Sequence, residues 1–439
     1  MANTELQDRA AQAVKIAQKA GANDAWAGAS RSRSVSFTYR DDALEQVKDA
    51  TSRSLSLRLF VDGRYSAHST TDLRPERVEK FVGEAVALTR ALQPDKYRTM
   101  PDPALFEGRT TKNLELVDGS LENIDRDKRL AWCEAMNAQV SGKPDVISTT
   151  SSVGDAHVLS AAVSSNGFAG TYEATSVWLS TSATLMDKDD KRPSDWMAAS
   201  TRHLDELPNA ASIADEALSR SRLMLGTEKG PTERTTMVVD NRAAGNILGR
   251  LYSPARGGAV QQGRSFWKDK LGKKMVSDKL TITDDPLIPR GLGSRPFDGE
   301  GIAAKRLPII SKGVFENLYL DTYYANKLDM KPTTGGSSNL VVELGNRNRD
   351  EILTAVGKGI FVTSWLGGNM DATTGDFSFG VRGHLIANGV LGAPISEMNI
   401  TGNIVDLFSN LAEIGNDPWL YSSTRAPTLA FSDVQFSGV

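Results

Sequence analysis

Apolar residues fall on one helical face over residues 4–20, at Leu6, Ala10, Ala13, Val14 and Ala17, with Gly21 at the far end. The period then changes. Ser34–Tyr39 and Ser54–Val61 alternate apolar and polar positions as half-buried strands do, and Asp62-Gly63 after the second run is a hairpin signal. A second helix is predicted from Val78, Phe81, Val82, Ala85 and Leu92, with Pro75 near its start. The same order recurs further on. A helix around 126–141 carries Leu130, Cys133 and Val140, strand-like runs follow at 145–167 and 170–187, and a closing helix around 208–226 carries Ile213, Ala217 and Leu218. Ser66–Thr70 precedes the first closing helix as Ala198–Thr201 precedes the second. These patterns predict an N-terminal α/β domain over 1–226, built from two related helix–sheet–helix units at about 1–93 and 125–226 joined by a Pro-containing polar stretch at 94–124.

Gly226–Pro231 reads as a linker. Beyond it, a strand at Thr236–Asp240 leads into a helical segment at 242–252, and the remainder is Gly-rich with short β-like runs such as Leu307–Ile310 and Gly359–Thr363. That half, 232–439, is expected to be a β-rich sandwich- or barrel-like domain, which makes the chain α+β as a whole.

Charge and composition remove several function classes. The 439 residues include 51 basic and 54 acidic ones, for a net charge of −3, and no run of Lys or Arg exceeds two. No basic stripe for nucleic acid is visible. The one cysteine, Cys133, forbids an intrachain disulfide. Met1–Gln7 lacks the basic and apolar regions of a signal peptide, and no apolar run approaches the roughly 18 residues of a membrane helix. The expectation is a cytoplasmic chain with no membrane contact.

Chemistry is sparse. The four histidines, His68, His157, His203 and His384, are scattered, and none begins a His-Glu-x-x-His pattern. His203-Leu204-Asp205-Glu206 reads as a solvated approach to a helix. Asp376-Phe377-Ser378-Phe379-Gly380 lacks the first glycine of a nucleophile elbow and crowds its serine with two phenylalanines. Gly291-Leu292-Gly293-Ser294 has no strand and helix around it to make a dinucleotide loop. Asp298-Gly299-Glu300-Gly301 sets two carboxylates on a turn, suited to a cation or a peptide amine, or simply to the turn itself. No metal, cofactor or nucleophile motif emerges.

A resemblance covers roughly 235–420. Phe297–Gly301, Lys305–Phe315, Leu318–Ala325 and Thr334-Gly335-Gly336, then Trp365–Gly368, Thr374–Ser378, Gly383, Asn388-Gly389, Asn399–Asn403 and Ile414–Asp417, are similar in order and spacing to the TldD/PmbA family. TldD-type members hold zinc with a His-Glu-x-x-x-His helix and a late cysteine. The matching segment here is Asn241–Leu251, where Asn241, Asn246 and Arg250 occupy the degenerate zinc-helix position and no cysteine follows. The resemblance implies a TldE/PmbA-type subunit that binds no cofactor itself and has no catalytic residue of its own. Zinc is then expected on a TldD-type partner, and the pair would be a metallopeptidase for short or unfolded peptides. Partner or peptide-cleft contacts are expected at Asp298, Glu300, Tyr323, Gly335, Gly336, Arg382 and His384. The alternative is a homodimeric peptide-binding scaffold without a protease role. Family members have also been labelled modulators of DNA gyrase, yet nothing in this charge pattern suggests DNA contact.

Overall fold

The computed structural model describes residues 3–438. Its first half runs α1 (Asn3–Lys19), β1 (Asp24–Arg40), β2 (Ala43–Val61), β3 (Arg64–Thr70) and α2 (Pro75–Arg90), then α3 (Arg126–Val140), β4 (Val146–Ser164), β5 (Ala169–Leu185), β6 (Ser194–Thr201) and α4 (Ala210–Arg222). The strands form one antiparallel sheet in the order β3-β2-β1-β4-β5-β6. Each helix–three strands–helix run supplies half of it, and the halves join where β1 pairs with β4 from Trp26↔Ser164 to Arg40↔Thr150.

The apolar faces of the helices cover one side of this sheet. Leu6, Ala10, Ala13 and Val82 pack on Ala25, Ala27, Ala29, Leu55, Leu57 and Leu59. Cys133, Met136, Ile213 and Ala214 pack on Val35, Phe37, Val153 and Leu179. The strands extend well past the alternating runs that predict them, and for two reasons. In β1 the extra inward positions are alanines, which carry little apolar signal, and in β2 most of Ala43–Arg53 is exposed. Leu92 lies beyond α2 and is exposed. In α3 the buried position beside Cys133 is Arg129 rather than Leu130, because its guanidinium reaches Asp155 on β4 at 2.5 Å and the carbonyl of Asp125 at 3.1 Å.

The second half runs β7 (Glu228–Lys229), β8 (Glu233–Val239), α5 (Asn241–Tyr252), α6 (Gly257–Gln261), β9 (Ile282–Asp284), β10 (Leu307–Ser311), β11 (Val314–Phe315), α7 (Thr322–Leu328), β12 (Leu340–Val342), α8 (Arg349–Val356), β13 (Gly359–Met370), β14 (Asp376–Ala387), β15 (Val390–Asn403), α9 (Ile404–Ser409), β16 (Leu411–Ile414), β17 (Thr424–Arg425) and β18 (Leu429–Ser437). Strands β8, β13, β14, β15 and β18 close on themselves, since β18 pairs with both β8 and β15. The predicted barrel-like domain is therefore a barrel, and a smaller five-stranded sheet, β11-β10-β9-β12-β17, packs beside it around the same apolar core. Closure gives each of the five barrel strands a paired neighbour on both sides. Bulges interrupt β13 and β14, and at one of them Gly383 has no room for a Cβ against the Phe361 carbonyl. The segment read as a linker is not free: Glu228–Lys229 adds a parallel strand to β15 at Ile395–Ser396.

Candidate functional site

Helix α5 starts where the two halves of the chain meet. Asp240 follows β8 and caps the helix by accepting from the Arg242 N–H at 2.9 Å, while its other oxygen accepts from Arg220 of α4 at 3.2 Å. Arg242, in the first turn, donates to the Trp196 carbonyl at 2.6 Å and to Asp195 Oδ1 at 3.3 Å, both on edge strand β6. Arg382 on β14 reaches the same Asp195 oxygen at 3.7 Å. Arg220 also holds Glu216 at 2.6 Å. Three guanidinium groups and three carboxylates thus interlock β6 and α4 with α5 and β14. Burial alone lowers the affinity of Arg220 for its proton, but Asp240 and Glu216 raise it above the ordinary value. Burial and then the neighbouring Arg220 pull Arg242 below the ordinary value, against the pull of Asp195 and Asp240.

His384 belongs to this junction. Its Nε2 lies 2.9 Å from the Leu223 carbonyl, which can only accept, so Nε2 carries the hydrogen. Nδ1 is buried with no partner among the described residues. Burial, reinforced by Arg220, lowers the imidazole pKa from its ordinary 6.5, although the Leu223 carbonyl and Asp195 offset part of this. The folded chain holds the ring neutral, so on acidification the unfolded chain takes up the proton first. That stability is complete above about pH 7 and is lost as pH falls below about 6.5. We expect the urea midpoint of the wild-type chain to drop more between about pH 7 and 5.5 than that of a His384→Gln variant. Equal drops would show that His384 is not the group responsible.

The remaining residues of α5 are not arranged around an ion. Asn241 donates to the Asp417 carbonyl at 2.7 Å, Asn246 is exposed, and Arg250 lies 5.4 Å from the Phe379 ring centroid. Two amides and a guanidinium do not make a zinc site, which takes imidazole, thiolate or carboxylate donors. Among the described residues, no three of His, Cys, Asp and Glu come together as a metal site.

A second group of candidate residues gathers where loops of the second half meet the first. Asp298 is buried. One of its oxygens accepts from the Glu300 and Ile302 N–H groups at 2.9 and 3.1 Å, the other from Thr334 Oγ1 and the Gly335 N–H at 3.2 and 3.3 Å. Glu300 accepts from both the N–H and the hydroxyl of Thr322 at 2.8 Å, at the start of α7, and burial raises its pKa against those bonds. The Gly336 carbonyl accepts from Arg295 at 2.6 Å. Tyr323 donates to Asp95 at 2.8 Å, and Arg98 lies 3.4 Å from its ring centroid. Asp298 and Glu300 are thus engaged in fixing loops, whereas Arg382 and His384 sit with α5 in the other cluster. Asp195 and Arg220 were not legible as site residues, because nothing in their own segments marks the partners they meet.

The three parts of the chain match three consecutive family descriptions: PmbA/TldA metallopeptidase domain 1 over residues 27–89, the central domain over 119–225 and the C-terminal domain over 232–438. The chain belongs to the PmbA/TldD family. It is 26% identical to the metalloprotease PmbA of Escherichia coli O157:H7, covering 99% of this chain and 96% of that one. A crystal structure of a proposed modulator of DNA gyrase from Bacteroides thetaiotaomicron is 38% identical, superposes with a TM-score of 0.96 and covers 99% of each chain. TldE of Thermococcus kodakarensis shares the fold at a TM-score of 0.84 and 18% identity, covering 98% of this chain and 100% of that one. In this member of the PmbA/TldD family, the junction around α5 is held by arginines and carboxylates. Among its described residues, no helix is long and apolar enough to cross a membrane.

Proposed function

We propose that this chain is the metal-free, TldE-type subunit of a two-subunit peptidase. It pairs with a zinc-bearing TldD-type chain in the cytoplasm and forms one wall of the cleft that takes short or unfolded peptides. The observation that carries the reading is the composition of α5. By the resemblance in sequence, the helix corresponds to the zinc helix of TldD-type members but carries Asn241, Asn246 and Arg250, and its first turn is engaged with Asp195 and the Trp196 carbonyl. A helix with these side chains lacks the donors that hold zinc and activate water, and its first turn is tied to the first half of the chain by ion pairs. Membership of the PmbA/TldD family and the fold shared with TldE support the same reading.

Co-expression with a TldD-type chain tests it. The expected result is a heteromeric complex that hydrolyses unstructured peptides with at least ten-fold higher kcat/KM than the TldD-type chain alone, with zinc only on that partner. No complex, an equally active partner alone, or stoichiometric zinc on this chain would refute it. A stable homodimer that ignores the partner would favour the scaffold reading instead.

A further inference from the structure

The side of the six-stranded sheet away from the helices carries a trough across its strands. Register aligns Ser56, Gly28, Ala162 and Gly170 as one row over β2, β1, β4 and β5. No side chain in that row is larger than a serine. The adjacent row on the same face is Ser54, Ser30, Ser160 and Tyr172, four hydroxyls in succession. With strands about 4.8 Å apart, each row spans about 14 Å. The segment Leu292–Gly299 rises beside these rows as a wall and borders an open cavity of 410 Å³, within the range of ligand pockets. Two aromatic rings bound the low row. Trp26 lies over Gly28, and Phe297 lies over Gly170, so that a Cβ at either glycine would meet the ring.

The charged groups in the cavity lining are engaged with neighbouring loops, and of their polar atoms only Arg295 Nε, which is buried, is left without a partner among the described residues. Arg295 donates to the Gly336 and Ser337 carbonyls and Asp298 accepts from Glu300, Ile302 and Gly335 N–H groups. The hydroxyls retain capacity. Ser30 and Ser54 bond each other at 2.8 Å, and each oxygen can make a further bond. The backbone of these strands is paired within the sheet, so a ligand here meets hydroxyls and rings rather than a strand edge.

We propose that this trough binds a neutral, extended peptide segment of about four residues, with main-chain groups along the hydroxyl row and one apolar side chain between Trp26 and Phe297. Four extended residues match the length of the hydroxyl row, and Ala162 forms the floor between the two rings where the apolar side chain would sit. A charged side chain would lose its hydration without gaining a partner. The proposal deepens the peptidase-subunit reading and rests on it for the choice of ligand.

Fluorescence anisotropy with the full-length chain tests it, using the labelled blocked peptide Gly-Ala-Phe-Ala-Gly and a counterpart with Asp in place of Phe. We expect the Phe peptide to bind at least ten-fold more tightly. Ser160→Tyr, which fills the hydroxyl row, should raise its Kd at least ten-fold, while Ser34→Tyr, further along β1 on the same face, should change it less than two-fold. Absence of binding, a preference for the Asp peptide, or equal effects of the two variants would overturn the trough. If Ser160→Tyr does not fold, a photo-crosslinker on Ser160→Cys decides instead, since Cys133 is fully buried; crosslinking no greater than from Asp127→Cys on α3 overturns the proposal. Failure here is distinct from failure of the subunit reading. A pair that hydrolyses peptide with Ser160→Tyr unchanged removes the trough alone, and a chain that binds the Phe peptide yet forms no complex with a TldD-type chain removes the subunit reading alone.

Discussion

Asp195→Ala is expected to destabilise the folded chain by about 3–5 kcal/mol, the range for removing one partner of a buried ion pair. Asp195 is 3% exposed and Arg242 is 4% exposed. Besides Arg242, the Asp195 carboxylate accepts from the Trp196 N–H at 2.7 Å and faces Arg382 at 3.7 Å. Truncation leaves two guanidinium groups in a largely buried junction, with the Trp196 carbonyl and Asp240 as the remaining acceptors near Arg242. Urea unfolding followed by tryptophan fluorescence measures the loss. Arg242→Met combined with Asp195→Ala should recover part of it, because the uncompensated charge is then gone. A loss under about 1 kcal/mol for the single variant would mean that water enters the junction and solvates the arginines. The pair bridges β6 of the first half and α5 of the second, so Asp195→Ala should also speed proteolytic cutting between the halves, near 226–232.

Trp267→Ala should cost about 3–5 kcal/mol from lost burial, with more from an orphaned acceptor. The side chain is 1% exposed and stacks on Phe315 of β11 with centroids 4.1 Å apart. Its Nε1 donates to the Leu251 carbonyl at 2.7 Å, satisfying one of the acceptors that the end of α5 leaves open. One residue therefore joins the C-terminal turn of α5 to the smaller sheet. Trp267→Phe keeps most of the stacking and loses only the hydrogen bond and some volume, so it should cost about 1–3 kcal/mol. Chemical denaturation of the three proteins compares them. If Trp267→Phe proved as damaging as Trp267→Ala, the hydrogen bond to Leu251 rather than the ring would be the dominant contribution.

These two variants show where local pattern stops being informative. Trp267 follows Phe266 in a stretch with no regular period, and its stacking partner is 48 positions away. Asp195 lies in a short strand whose alternation says nothing of Arg242 or Arg382. Helix α5 itself was legible, as a helical segment following the strand before it. The lack of metal donors on it was equally legible, because a missing residue type is a property of the chain alone. The hydroxyl row across β2, β1, β4 and β5 was not legible, although each strand carries its serines openly. Only register places Ser54, Ser30, Ser160 and Tyr172 side by side.

The sequence by itself determined the α+β class, the recurring helix–strand–helix order, most of the buried helix faces and the absence of a zinc-binding set on Asn241–Leu251. Each follows from short-range periodicity or from the presence or absence of particular side chains. Only the tertiary structure decided that β1 and β4 fuse two units into one sheet, that β18 closes the barrel by pairing with both β8 and β15, and that Glu228–Lys229 is a strand rather than a free linker. It also decided that Asp298 and Glu300 are held by backbone N–H groups, and that Arg242 and Arg382 share one buried carboxylate. The physical reason is common to all of these. Strand pairing and buried ion pairs depend on groups far apart in the chain, whose partners are chosen by register and by the cost of leaving a polar group unpaired away from water.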